Sequence, residues 1–99
     1  MDLQLNNAKV LVTGGSRGIG LAIAKAFAAE GARVAICGRD EAKLAESVAA
    51  LNAIGGQAIG LRADLFKAED CKDVVDKAAA AFGGLDVLVN NASTNVDGV

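Results

Sequence analysis

The stretch "VTGGSRGIGLA", Val12 to Ala22, sets four glycines, Gly14, Gly15, Gly18 and Gly20, between a β-branched run and an apolar run of helical spacing. Glycines ahead of a helix let the backbone turn tightly and approach a phosphate, and the helix start aims free N–H groups and a positive dipole end at it. Upstream, "AKVLVTG" has the pattern of a short strand buried on both faces. Downstream, Ile19, Ala22, Ile23, Ala26 and Phe27 recur at helical spacing and predict an inner helix face, with Gly31 as the stop. The first unit is therefore strand, glycine turn, helix.

The same unit recurs in type, though not in sequence. "RVAIC" reads as a second strand, and Asp40 can cap a helix whose inner face is Leu44, Val48, Leu51 and Ile54, closed by Gly55 and Gly56. "QAIGLRA" is a weaker third strand. Cys71, Val74, Val75, Ala78 and Phe82 mark a third helix ended by Gly83 and Gly84, and "LDVLVNN" is a fourth strand. Strands alternating with helices imply parallel pairing through right-handed crossovers. The expected class is α/β, a doubly wound parallel sheet of order 3-2-1-4, with the first two helices on one face and the third on the other. A ligand belongs in the crevice above the carboxyl ends of strands 1 and 4. No linker or shift of composition divides the elements, so residues 1–99 are expected to form one domain.

Hydrophobic residues make up 53% of the chain and charged residues 22%, a globular composition. The net charge of −2 and the scattered basic residues argue against nucleic acid or an anionic membrane as the partner. The start "MDLQLNNAKV" lacks the features of a signal peptide, and no apolar stretch reaches membrane-spanning length. Cys37 and Cys71 lack metal-site spacing and the chain has no histidine, so no metal is expected. Both cysteines are read as free thiols packed as small hydrophobes in a reducing cytoplasm.

Which phosphate the glycines could hold depends on their spacing. The triphosphate loop G-x-x-x-x-G-K-S/T has its gap matched by Gly15 to Gly20, but Leu21 and Ala22 stand where Lys and Ser/Thr are required. The G-x-G-x-x-G dinucleotide fingerprint does not fit either, because the spacing here is G-x-x-x-G-x-G. "TGGSRGIG", Thr13 to Gly20, resembles instead the T-G-x-x-x-G-x-G cofactor motif of the short-chain dehydrogenases/reductases. Asp64 after the third strand and "NNA", Asn90 to Ala92, at the end of the fourth fall where that family's pattern has them. The likeness covers essentially the whole chain and extends to 3-oxoacyl-acyl-carrier-protein reductase-like members.

The resemblance implies a Rossmann-type dinucleotide-binding domain and a role for each matched residue. Gly14, Gly15, Ser16, Arg17, Gly18, Ile19 and Gly20 would wrap the pyrophosphate and adenosine ribose. Asp64 would accept from the adenine amino group, with the backbone of Leu65 beside it. Asn90, Asn91 and Ala92 would line the ribose path and tie strand 4 to its neighbours. At the end of strand 2, "ICGRD" offers Gly38 and Arg39 where an NAD enzyme of this type usually places a carboxylate. A guanidinium there supplies a bidentate partner for a 2′-phosphate, and Arg17 could close on it from the other side. NADP(H) is therefore expected over NAD(H).

Catalytic residues cannot be carried over. The family supplies its proton donor from a Ser and a Tyr-x-x-x-Lys motif beyond strand 4, and this chain contains no tyrosine and no histidine. The expectation is an N-terminal, cofactor-binding portion of a reductase acting on ketones or alcohols, inactive alone. The alternative is a self-contained, non-catalytic module that binds a dinucleotide or a protein. Ser93 stands where the family continues "NNAG", and Phe66 where a capping Ser or Thr is common. A sheet that stops at strand 4 leaves an unpaired edge and an apolar face, so self-association is also expected.

Overall fold

The computed structural model describes residues 6–14, 18–55, 57–65 and 67–90. Four strands, β1 (Lys9–Thr13), β2 (Arg33–Gly38), β3 (Gln57–Arg62) and β4 (Val87–Asn90), alternate with helices α1 (Gly18–Ala29), α2 (Glu41–Ala53) and α3 (Ala68–Phe82). The strands form one sheet of order β3-β2-β1-β4, every pair parallel. The chain steps outward twice from β1, then crosses back to β4 on the other side, which is the doubly wound arrangement expected from the sequence.

The central strands are apolar on both sides because helices cover both faces. Val10, Val12, Val34 and Ile36 pack with Ala24 and Ala28 of α1 and Leu44 and Leu51 of α2. Leu11, Ala35 and Cys37 point the other way, onto Val74, Ala78 and Phe82 of α3. Two helices on one face and one on the other is the expected distribution. Each fully buried large side chain, such as Leu11 or Ile36, contributes roughly 1.5–3 kcal/mol by leaving water.

The inner face of α1 differs from the expected one. Gly20, Ala24 and Ala28 are its buried residues, while Ile23 and Phe27 are half-buried, Ala22 and Ala26 are exposed, and Ile19 is 73% exposed. Small residues one turn apart let the helix axis come close to the sheet, and the larger side chains spread to either flank. On α2, Ile54 is likewise outside the core at 43% exposure and serves as the C-cap, while Ser47 takes a buried position.

Helix ends follow local chemistry. Asp40 caps α2 as expected, its carboxylate accepting from the Lys43 N–H at 3.1 Å. At the end of α3, Gly83 adopts the left-handed conformation (φ 77°) that glycine tolerates best. Lys67 is the N-cap of α3 and forms no side-chain cap bond, in keeping with the absent Ser or Thr noted in the sequence.

Candidate functional site

The registers place the ends of the strands side by side. Thr13 pairs with Cys37 on one side and Asn90 on the other, and Gly38 pairs with Arg62. The Ala63 N–H donates to the Gly38 carbonyl at 2.9 Å, extending the β2–β3 ladder by one residue so that Asp64 emerges near the start of the β2–α2 turn that carries Arg39. The sheet therefore gathers Gly14, Gly38, Arg39, Asp64, Leu65 and Asn90 at its carboxyl edge. Gly15, Ser16, Arg17, Asn91 and Ala92 lie outside the described residues.

Backbone conformation makes the glycine turn specific. Gly14 (φ 68°) and Gly18 (φ 59°) both occupy the left-handed region. A Cβ at Gly18 would meet nothing within 4 Å, so its conformation and not crowding demands glycine. α1 begins at Gly18, and the first turn of a helix has N–H groups without partners inside the helix. Ile19, in the first turn, carries an exposed apolar side chain.

Four side chains hold this edge together. Thr13 Oγ1 lies 3.3 Å from the Val89 carbonyl and 3.2 Å from Asn90 Oδ1, linking the ends of β1 and β4. Asn90 thus joins β4 to β1 through its side chain. On the β3 side, Asp70 Oδ2 accepts from the Asp64 N–H at 2.8 Å, and the Cys71 thiol donates to the Leu65 carbonyl at 3.3 Å. Sequence reasoning missed these two anchors: Cys71 reads as part of a helix face and as a free, packed thiol, and an acidic residue three positions into a helix signals an ordinary first-turn charge.

A cleft of about 240 Å³ opens between α3 and the β1–β4 edge, lined by Thr13, Leu65, Cys71, Val74, Leu88 and Asn90 among others. Both cysteines are free thiols, Cys37 buried and Cys71 half-buried. Burial pushes the Cys37 thiol above its ordinary range, opposed by a backbone hydrogen bond from Gly14. Among the described residues no group of three or more His, Cys, Asp or Glu side chains could hold a metal, and no helix is long and apolar enough to cross a membrane.

The short chain dehydrogenase family matches residues 8–99. The chain belongs to the short-chain dehydrogenase family. It is 47% identical over 85 residues to the peroxisomal 2,4-dienoyl-CoA reductase of Arabidopsis thaliana, a match covering 86% of this chain and 28% of that protein. To the 3-oxoacyl-acyl-carrier-protein reductase of Chlamydia pneumoniae it is 41% identical over 97 residues, covering 98% of this chain and 39% of the reductase. Among solved structures, a short-chain dehydrogenase from Burkholderia cenocepacia J2315 in complex with NADP superposes with a TM-score of 0.84 at 45% identity, over 96% of this chain and 41% of that one. The chain spans well under half the length of each of these relatives.

Proposed function

We propose that residues 1–99 form one dinucleotide-binding domain that takes NADP(H) in preference to NAD(H) at the carboxyl edge of the sheet. The observation that carries this reading is the convergence, at one edge, of a left-handed glycine turn opening a helix, of Arg39 after β2 and of Asp64 after β3. The pyrophosphate would lie against Gly14 to Gly20 and the α1 N-terminus, where backbone N–H groups and the helix dipole favour an anion. The 2′-phosphate would meet Arg39, with no carboxylate at Gly38 to repel it. Adenine would contact Asp64 and Leu65, and the ribose path would follow Asn90, Asn91 and Ala92. Ile19 would lose its exposure against the ligand. The NADP complex of the Burkholderia relative supports a dinucleotide, and support for NADP over NAD comes mainly from Arg39.

Within a longer reductase the bound cofactor would exchange hydride with a ketone or alcohol; the 3-oxoacyl thioester relative points to that class of reaction. The 99-residue chain has no tyrosine or histidine to protonate the developing alkoxide, and general acid catalysis supplies typically ~10²–10⁴-fold. Ketone-dependent NADPH oxidation is therefore expected to be absent from this chain. Calorimetric titration of the purified chain with NADPH and with NADH tests the binding reading. Tighter binding of NADPH is expected, and equal affinity would remove Arg39 from the phosphate site.

A further inference from the structure

The turn between β3 and α3 is held from the helix side. The Asp64 carbonyl accepts from the Lys67 N–H at 2.9 Å, and the Asp64 N–H donates to Asp70 Oδ2 at 2.8 Å. Both backbone polar groups of Asp64 are thus engaged by the start of α3. The next residue is held as well, since the Leu65 carbonyl accepts from the Cys71 thiol at 3.3 Å. With N–H and C=O both fixed, the direction in which the Asp64 Cα–Cβ bond leaves the backbone is fixed too.

Asp70 occupies the third position of α3, where an acidic side chain ordinarily reaches back to the backbone N–H of its own N-cap. Here it reaches three residues further, past Lys67, to Asp64. Its half-buried carboxylate therefore serves the turn more directly than it serves the helix end.

We propose that Asp70 is a positioning residue for adenine recognition, holding the Asp64–Leu65 turn in the orientation that presents it to the cofactor, with Cys71 as the second anchor. The proposal rests on the binding reading above, because it assigns Asp64 and Leu65 to the adenine end of the ligand.

The test uses the 99-residue chain with 2′,5′-ADP as the probe, and follows Asp64 amide hydrogen exchange without ligand. Asp70→Ala should weaken 2′,5′-ADP binding roughly 5- to 10-fold, the loss of one charge-assisted hydrogen bond acting through the turn, and should speed exchange at Asp64. Asp70→Asn keeps an acceptor at the same place and should restore both to within about twofold of the parent. Glu69→Gln removes a first-turn charge without touching the turn and should change neither. Where the alanine variant does not fold, Asp70→Glu retains the charge and moves the acceptor by one methylene, and weaker binding at an unchanged melting temperature is the supporting result. Parent-like affinity in Asp70→Ala or, failing that, in Asp70→Glu overturns the proposal. So does a loss in Asp70→Asn equal to that in Asp70→Ala, which would make the effect one of helix charge. If the parent chain itself does not bind 2′,5′-ADP while exchange at Asp64 still answers to Asp70, the binding reading has failed and this proposal falls with it.

Discussion

At the residue scale, the proposed preference for NADP(H) rests on two neighbours at the end of β2. Gly38 leaves room where a carboxylate would repel a 2′-phosphate, and Arg39 follows it at the crevice. A charge-assisted contact of this kind contributes ~1.5–3 kcal/mol, so Arg39→Ala should weaken NADPH binding by roughly 10- to 100-fold and leave NADH nearly unchanged. Gly38→Asp should turn the preference toward NADH. Paired calorimetric titrations check both, and equal losses for the two cofactors in the arginine variant would contradict the assignment. The two thiols differ as sharply. Cys37 has no exposure and its thiol is pushed up by burial, so less of it is thiolate at a given pH, while Cys71 borders the open cleft. One rapidly reacting thiol is expected in a colorimetric titration of the folded chain and two after denaturation, and two equally fast thiols in the folded state would be the contrary result.

At the scale of elements, each helix is set by its ends and by one stripe of contacts. Asp40→Ala removes the α2 cap and should cost ~1 kcal/mol, read as a lower urea midpoint with an unchanged slope. Gly31→Ala should be similarly costly, because Gly31 sits at φ 84°, a conformation that a residue with a Cβ adopts at a cost, while the Asn6 side chain beside it can move aside. The strands, the caps and the stops were legible in the sequence because each depends on neighbours in the chain. The face of α1 was not. Its apolar residues are dense enough to suggest more than one stripe, and only the sheet beneath selects Gly20, Ala24 and Ala28 as the close-packed row. The resemblance implied that Asn90 ties strand 4 to a neighbour, but its partner Thr13 and the tie from Asp70 to Asp64 were hidden, since a side chain reaching across a turn or between strands leaves no periodic mark. Gly14, Gly18, Arg39, Asp64 and Asn90, the candidate-site residues that belong to sequence motifs, could be picked out from the sequence. What holds the site in shape could not.

At the scale of the whole molecule, the sheet is covered unevenly. Among the described residues β4 ends the sheet, and Leu88, on the α3 side, is 53% exposed beside the cleft. An open edge next to an apolar cleft favours pairing with another chain, so we expect the 99-residue chain to self-associate, with Leu88→Lys shifting it toward monomer. Sedimentation velocity at several concentrations reads this directly, and a concentration-independent monomer would contradict it. The central claim is that one edge of this sheet is a cofactor site, and the most direct measurement is an amide shift map of the chain titrated with NADP⁺. Shifts concentrated at Gly14, Gly18 to Gly20, Gly38 to Asp40, Asp64, Leu65 and Asn90 are the predicted result; shifts at the opposite edge, around Lys9, Arg33 and Asp86, or no saturable shifts at all, would contradict it.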